Sequence, residues 1–421
     1  MNKSPPESVL PFPADETSAD VPQVVLAKPN LELVLAKLLS WGYRVLGPRV
    51  EQSAVVYGEL SGLTDLPRGY RDEQAAGSYR LVAADHDNYF DFNVGPQSWK
   101  QFLFPPQACV ASGERREEGW HFKTPAELDP AAAPLAFIGV RACELAAIAI
   151  QDRIFLQGAY VDPIYRQRRE SLFLLAVNCS VAASTCFCTS MGTGPRCTPG
   201  QHVFDLALTE LEHDFVVEIG SARGGQLLEG LPTRPADAAA RAQARAKQQQ
   251  AEQQISKQFQ ASGIREVLLE NLDHPHWDDV AQRCLSCTNC TMVCPTCFCS
   301  TVTEVSDLSG DHVRRERQWD SCFNIDFGYM AGGIVRDQRR SRFRQWLTHK
   351  LASWHDQFDS SGCVGCGRCI TWCPVGIDLT AEVDALRSEP GSPRRLPVIA
   401  SPDKPSVCRV TDESTTSAAE R

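Results

Sequence analysis

Residues Cys284–Pro295 read CLSCTNCTMVCP, and residues Cys363–Pro374 read CVGCGRCITWCP. Both are C-x2-C-x2-C-x3-C-P, and their starts lie 79 residues apart. Three thiols at three-residue steps on a tight loop can each reach a different iron of one [4Fe–4S] cube. The fourth, set three residues further on and stopped by proline, points away from that cube and usually ligates the other cluster. Two such strings imply two [4Fe–4S] clusters sharing ligands crosswise. Cys284, Cys287, Cys290 and Cys294 come from one string, and Cys363, Cys366, Cys369 and Cys373 from the other. A chain built this way moves electrons.

Two other chemistries compete for these thiols. Zinc takes four tetrahedral ligands, commonly as two C-x2-C pairs across a spacer, and the repeated four-cysteine string suits iron–sulfur better. Cys290, Cys294 and Cys297 also fit C-x3-C-x2-C, the spacing of radical S-adenosylmethionine enzymes. That remote alternative is weakened because the longer string already uses Cys290 and Cys294, and no β/α barrel pattern follows.

A further cysteine set lies upstream. LAFIGVRACELAAIAIQDRIFLQG (Leu135–Gly158) reads as a buried strand running into a helix, and SLFLLAVNCS (Ser171–Ser180) as a second buried strand. Together they predict a parallel βαβ unit. Cys143 and Cys179 then fall just beyond the C-terminal ends of their strands, the edge where open α/β sheets bind ligands. Cys186 and Cys188 follow on the same loop, so Cys143, Cys179, Cys186 and Cys188 are a candidate third [4Fe–4S] site. The plainer reading of Cys143 is a small buried residue. Cys197 is a possible substitute ligand, and Cys109 reads as core. STCFCTS (Ser184–Ser190) is echoed by PTCFCST (Pro295–Thr301). Cys297, Cys299 and Cys322 are alternates, either spare ligands or replacements for Cys294, because 68 residues separate the strings.

Size and composition set the frame. The 421 residues suffice for two domains, with 43% hydrophobic and 22% charged residues, as in ordinary globular proteins. A net charge of −10 weighs against nucleic acid as a partner. Arg314–Lys350 is locally basic, with nine Lys/Arg against four Asp/Glu, and reads as a solvated face or as counter-charge for anionic clusters. The start of the sequence shows no signal-peptide pattern, and no run approaches the roughly 20 apolar residues of a membrane helix. A cytoplasmic location without direct membrane insertion is expected. Eighteen cysteines in that setting read as metal thiolates rather than disulfides.

The expected organisation is a disordered arm over 1–30, an α/β cysteine-containing domain over 31–225, and an Ala/Gln-rich solvated helical connector over 226–260. A 4Fe-4S dicluster, ferredoxin-type domain over 261–386 and a disordered tail over 387–421 carrying Cys408 complete it. The fold class is α+β / α/β: an N-terminal α/β domain with a parallel βαβ unit, then a C-terminal helical ferredoxin-type domain. No G-x-G-x-x-G, Walker loop, G-x-S-x-G or H-E-x-x-H occurs, so no catalytic residue is assigned.

With these motifs in view, the chain resembles the iron–sulfur beta subunits of cytoplasmic NAD(P)-linked [NiFe]-hydrogenases, or sulfhydrogenases. It is similar in plan to the A subunit of anaerobic sulfite reductase. The resemblance runs through GPQSWKQFLFPP (Gly95–Pro106), GVRACELAAI (Gly139–Ile148), Asn178–Cys188, CLSCTNCTMVCPTCFC (Cys284–Cys299), WDSC (Trp319–Cys322) and CVGCGRCITWCPVGIDLT (Cys363–Thr380). Such subunits commonly have Arg-Pro-Cys-Asp where this chain has Arg141-Ala142-Cys143-Glu144. The resemblance implies a non-catalytic electron carrier between a flavin/NAD(P)-binding subunit and hydrogenase small and large subunits. In the sulfite reductase case a siroheme subunit takes the hydrogenase's place.

Overall fold

The computed structural model describes residues 21–93, 95–124, 127 and 133–388. The strands of its larger sheets and of one hairpin are, in chain order, β1 (Gln23–Ala27), β2 (Arg44–Glu51), β3 (Ala54–Glu59), β4 (Tyr70–Ala75), β5 (Ser78–Ala83), β6 (Gln107–Arg116) and β7 (Gly119–Lys123). They continue as β8 (Leu135–Val140), β9 (Phe173–Val177), β10 (Leu206–Glu210), β11 (Asp214–Ile219), β12 (Thr233–Pro235), β13 (Ser300–Ser306) and β14 (His312–Trp319).

The centre of the fold follows from two runs with no polar face. β8 (LAFIGV) and β9 (FLLAV) are buried at every position. Such strands belong inside a parallel sheet covered on both faces. They pair in parallel, with Ala136 opposite Phe173, and the helix Ala142–Leu156 crosses between them. This is the βαβ unit expected from the sequence. β2 and β10 extend the parallel core on either side. The full sheet has the order β12-β1-β11-β10-β9-β8-β2-β3 and is antiparallel toward both edges. The helix Leu31–Ser40 packs onto it through Leu31, Val34, Leu35 and Leu38, one helical face.

Two expectations need correcting. Gln23–Ala27, assigned to a disordered arm, is β1 and lies between β11 and β12. The proline-rich composition before it masks its short apolar run QVVLA. Residues 1–20 lie outside the described residues, as does the tail from 389 with Cys408. The connector is helical over Ala238–Gln254 but is not fully solvated. Ala240, Ala244, Gln248 and Ala251 recur every three or four residues and are buried, and Gln248 donates to Thr209 of β10 at 2.9 Å.

The C-terminal region is mainly helical around Trp277, Phe343, Trp346, Leu347, Leu351 and Val383. It is not separate from the first half, because β14 pairs with β6 in a sheet of order β13-β14-β6-β7. Among the described residues, no helix is long and apolar enough to cross a membrane.

Candidate metal centres

The cysteine loops form three cavities. In the first, Cys284, Cys287 and Cys290 meet Cys373 from the other string beneath Phe323, Phe343 and Trp346. In the second, Cys363, Cys366 and Cys369 meet Cys294 from the first string, with Lys350 and Thr296 in the wall. The fourth cysteine of each string therefore lines the cavity of the other, and Cys369 lines the first cavity as well as the second. The third cavity gathers Cys143, Cys179, Cys186 and Cys188 with Arg141, and Cys366 lies in its wall as well. Cys366 thus borders two sites.

The two strings share a backbone conformation. In the first, Ser286 (φ 52°) and Thr288 (φ 70°) are left-handed; in the second, Gly365 (φ 65°) and Gly367 (φ 74°) occupy the same places. The turn lets Ser286 N–H point at Cys284 Sγ (3.4 Å) and Gly365 N–H at Cys363 Sγ (3.5 Å). Ile377 N–H points at Cys373 Sγ at 3.3 Å. Glycine is required in the second string for a steric reason. A Cβ on Gly365 would stand 2.6 Å from Phe187 O, and one on Gly367 2.4 Å from Thr185 O. The C-F-C loop of the third cavity is pressed against the second string, and Phe187 N–H donates to Gly365 O at 2.9 Å.

The donors fit iron–sulfur clusters. Among the described residues, no three His, Cys, Asp or Glu side chains converge closely enough to hold one ion, as zinc with sulfur at about 2.3 Å would need. The cysteines instead surround small apolar hollows. Burial pushes the Cys186 and Cys363 thiols up to about 12 and raises Cys143 and Cys179. Thiolate ligands there need a cationic core beside them. Arg141 is buried at the third cavity. It donates to Phe90 O (2.7 Å) and Phe92 O (2.8 Å) through Nη2, and its guanidinium also faces the Cys179 thiol. A buried cation beside four thiols suits an anionic cluster.

The alternates fall elsewhere. Cys197 is fully buried in the apolar core, its N–H bonded to Asn178, and does not line the third cavity. Cys109 is half-buried on β6 rather than in the core. Cys297, Cys299 and Cys322 do not replace Cys294 in the second cavity. Cys297 lies beside Cys294, and Cys322 beside Cys299. The neighbouring Cys322, ahead of opposing burial, draws Cys299 down to about 7.

Sequence reasoning missed Lys100 and Lys350, both buried beside these thiols. Lys350 ends the basic segment, and its burial was hidden by the arginines before it. One surface feature also stands out: Cys287 is exposed, and it is flanked by Leu285 (58% exposed) and Val375 (38%).

Residues 283–377 match the 4Fe-4S dicluster domain family, so this region carries two [4Fe–4S] clusters. The sulfhydrogenase 2 subunit beta of Pyrococcus furiosus is 32% identical over 254 residues, covering 59% of this chain and 73% of that protein. No solved structure matches the chain. With cysteine sites of this kind and a relative of that coverage, the chain belongs to the sulfhydrogenase beta-subunit family.

Proposed function

We propose that this chain is the electron-transfer subunit of a soluble, cytoplasmic hydrogenase complex. It relays electrons between a flavin/NAD(P)H-binding subunit and a [NiFe]-hydrogenase partner. In this reading Cys284, Cys287, Cys290 and Cys373 hold one cluster, and Cys294, Cys363, Cys366 and Cys369 hold the second. Cys143, Cys179, Cys186 and Cys188 hold a third. Each cluster supplies a one-electron couple, and the protein sets its potential through hydrogen bonds, charge and burial.

The observation that carries the proposal is the position of Cys366, in the wall of both the second and the third cavity. Together with the exchange of Cys294 and Cys373 between strings, it supports a continuous line of three centres. That line would run from the parallel sheet to the exposed rim at Cys287, where an electron could leave for a partner.

The test is anaerobic purification with iron and sulfide counting, reduced-state EPR, and identification of co-purifying subunits. About twelve irons per chain and a nickel–iron partner are expected. Fewer than about eight irons with no cluster signal would reject the relay. A siroheme partner would move the chain to sulfite reduction.

A further inference from the structure

Lys350 is 2% exposed. Its ammonium group has three protons to donate, and each has an acceptor: Cys294 Sγ at 3.2 Å, Thr296 Oγ1 at 3.1 Å and Gly362 O at 2.8 Å. Among the described residues, no carboxylate forms an ion pair with it. Its backbone carbonyl is held too, by Gly362 N–H at 2.8 Å. The side chain is therefore fixed rather than sampling the surface.

The local backbone is built to deliver it. Lys350 lies in a π-helical turn, His349–Ser353, between the helices Arg339–Thr348 and Trp354–Phe358. Such turns are rare and gather at functional positions, because the extra residue rotates one side chain out of the regular pattern. Trp354 stacks on His349 at 5.3 Å and leaves room only for glycine at 362, where a Cβ would meet its ring at 1.8 Å.

Lys100 is a second buried ammonium with Cys297 and Cys294 among its charged neighbours. It is 4% exposed, donates to Cys297 O at 2.9 Å, lies 3.9 Å from the centre of the Trp319 ring, and likewise has no carboxylate partner among the described residues. Burying one unpaired ammonium costs several kcal/mol. Two at one place require anionic partners, and the groups available are the thiols they face, Cys294 for both lysines and Cys299 for Lys100, together with whatever Cys294 binds.

We propose that Lys350, seconded by Lys100, is a tuning residue that raises the reduction potential of the Cys294-ligated second centre above those of its two neighbours, making it the station where electrons collect. The inference rests on the assignment of Cys294 to that centre. Its physical basis is that each added electron increases the negative charge beside a fixed cation, so the reduced form gains more than the oxidised form. The first centre has aromatic rings over it and no lysine in its wall. The third has Arg141, whose charge is partly engaged by two carbonyls.

The experiment is an EPR-monitored redox titration of the full chain, anaerobically purified, as wild type, Lys350→Gln, Lys350→Arg and Lys100→Gln, with iron counted in each. Lys350→Gln removes the charge but keeps donors. Its expected effect is at least a tenfold fall in the reduction equilibrium of one cluster, about 59 mV for one electron, with the other two midpoints unchanged. Lys350→Arg stays nearer wild type, and Lys100→Gln lowers the same midpoint by less. Full iron with no midpoint moved, or with all moved equally, overturns the proposal. If Lys350→Gln loses a cluster, Lys100→Gln decides: a selective fall supports the proposal, and no change overturns it. Wild-type protein without clusters would instead reject the relay itself, and this inference with it.

Discussion

Glu144 and Arg368 form an ion pair at 2.5 Å with both side chains 1% exposed. Glu144 follows Cys143 of the third cavity, and Arg368 precedes Cys369 of the second string. The pair therefore ties the sheet-edge thiols to the repeated string across 224 residues of chain. Glu144 also accepts from Tyr57 Oη at 2.9 Å and Trp99 Nε1 at 3.0 Å, while Nε and Nη1 of Arg368 have no other partner. A buried pair of this kind adds little net stability, but breaking it strands a charge.

The two partners should respond unequally to mutation. Glu144→Gln removes the one carboxylate paired with the buried arginine and should cost about 3–5 kcal/mol. Arg368→Met leaves Glu144 with two good donors and should cost less. Denaturant unfolding under anaerobic conditions measures both. Equal losses, or a loss below about 1 kcal/mol for Glu144→Gln, would mean the pair does not join the two regions.

Equivalent positions in the two strings should differ in the same manner. Thr288 and Gly367 share a left-handed backbone, but Gly367 faces the carbonyl of Thr185, while the first string borders the open rim. Thr288→Gly should change stability by no more than about 1 kcal/mol, since relief of strain and added chain entropy oppose each other. Gly367→Ala should cost about 3 kcal/mol or more, because backbone atoms must move. It should also loosen the C-F-C loop, read as faster hydrogen exchange at Cys186–Cys188. If exchange there stays at the wild-type rate, the docking of the two loops is not what requires glycine.

The features legible in the sequence were those set by local spacing. The cysteine strings, the buried strands β8 and β9 and the helix between them depend on neighbours within a few residues. The third thiol set was readable because strand ends in a parallel sheet share an edge. What escaped was pairing between distant segments. β1 looks like the end of a proline-rich arm until β11 and β12 flank it, and β14 reads as a basic run until β6 pairs with it. Lys350 and Arg342 stand in one charged stretch, and only packing shows that both are buried. The double position of Cys366 has no counterpart in spacing at all.

Cysteine substitutions separate ligands from neighbours. Cys294→Ser should lower the iron count by about one cluster, four irons, and perturb the signal of the second centre. Cys299→Ser and Cys322→Ser should retain the wild-type count, because neither thiol lines one of the three cavities. The Cys186→Ala, Cys188→Ala double variant should lose about four irons and leave the dicluster signals in place. An unchanged count in that variant would remove the third centre.

Removing the iron should unfold one part of the chain and spare another. The C-terminal core includes Cys284, Cys322 and Cys363 among its buried members, with Cys290, Cys369 and Cys373 packed against it. With clusters gone, these walls surround empty space and thiols that burial keeps protonated, so the cavity cost falls on few apolar contacts. The eight-stranded sheet has its own core of Leu35, Phe90, Ile138, Leu175 and Phe215, none of which depends on metal. Oxidative removal of the clusters should therefore open the region around 284–377 to proteolysis, while a fragment spanning β1 to β12 persists. Loss of helical circular dichroism should accompany the cleavage, and β-sheet signal should remain. Simultaneous loss of both would mean that the pairing of β6 with β14 and the Glu144–Arg368 contact couple the halves into one cooperative unit.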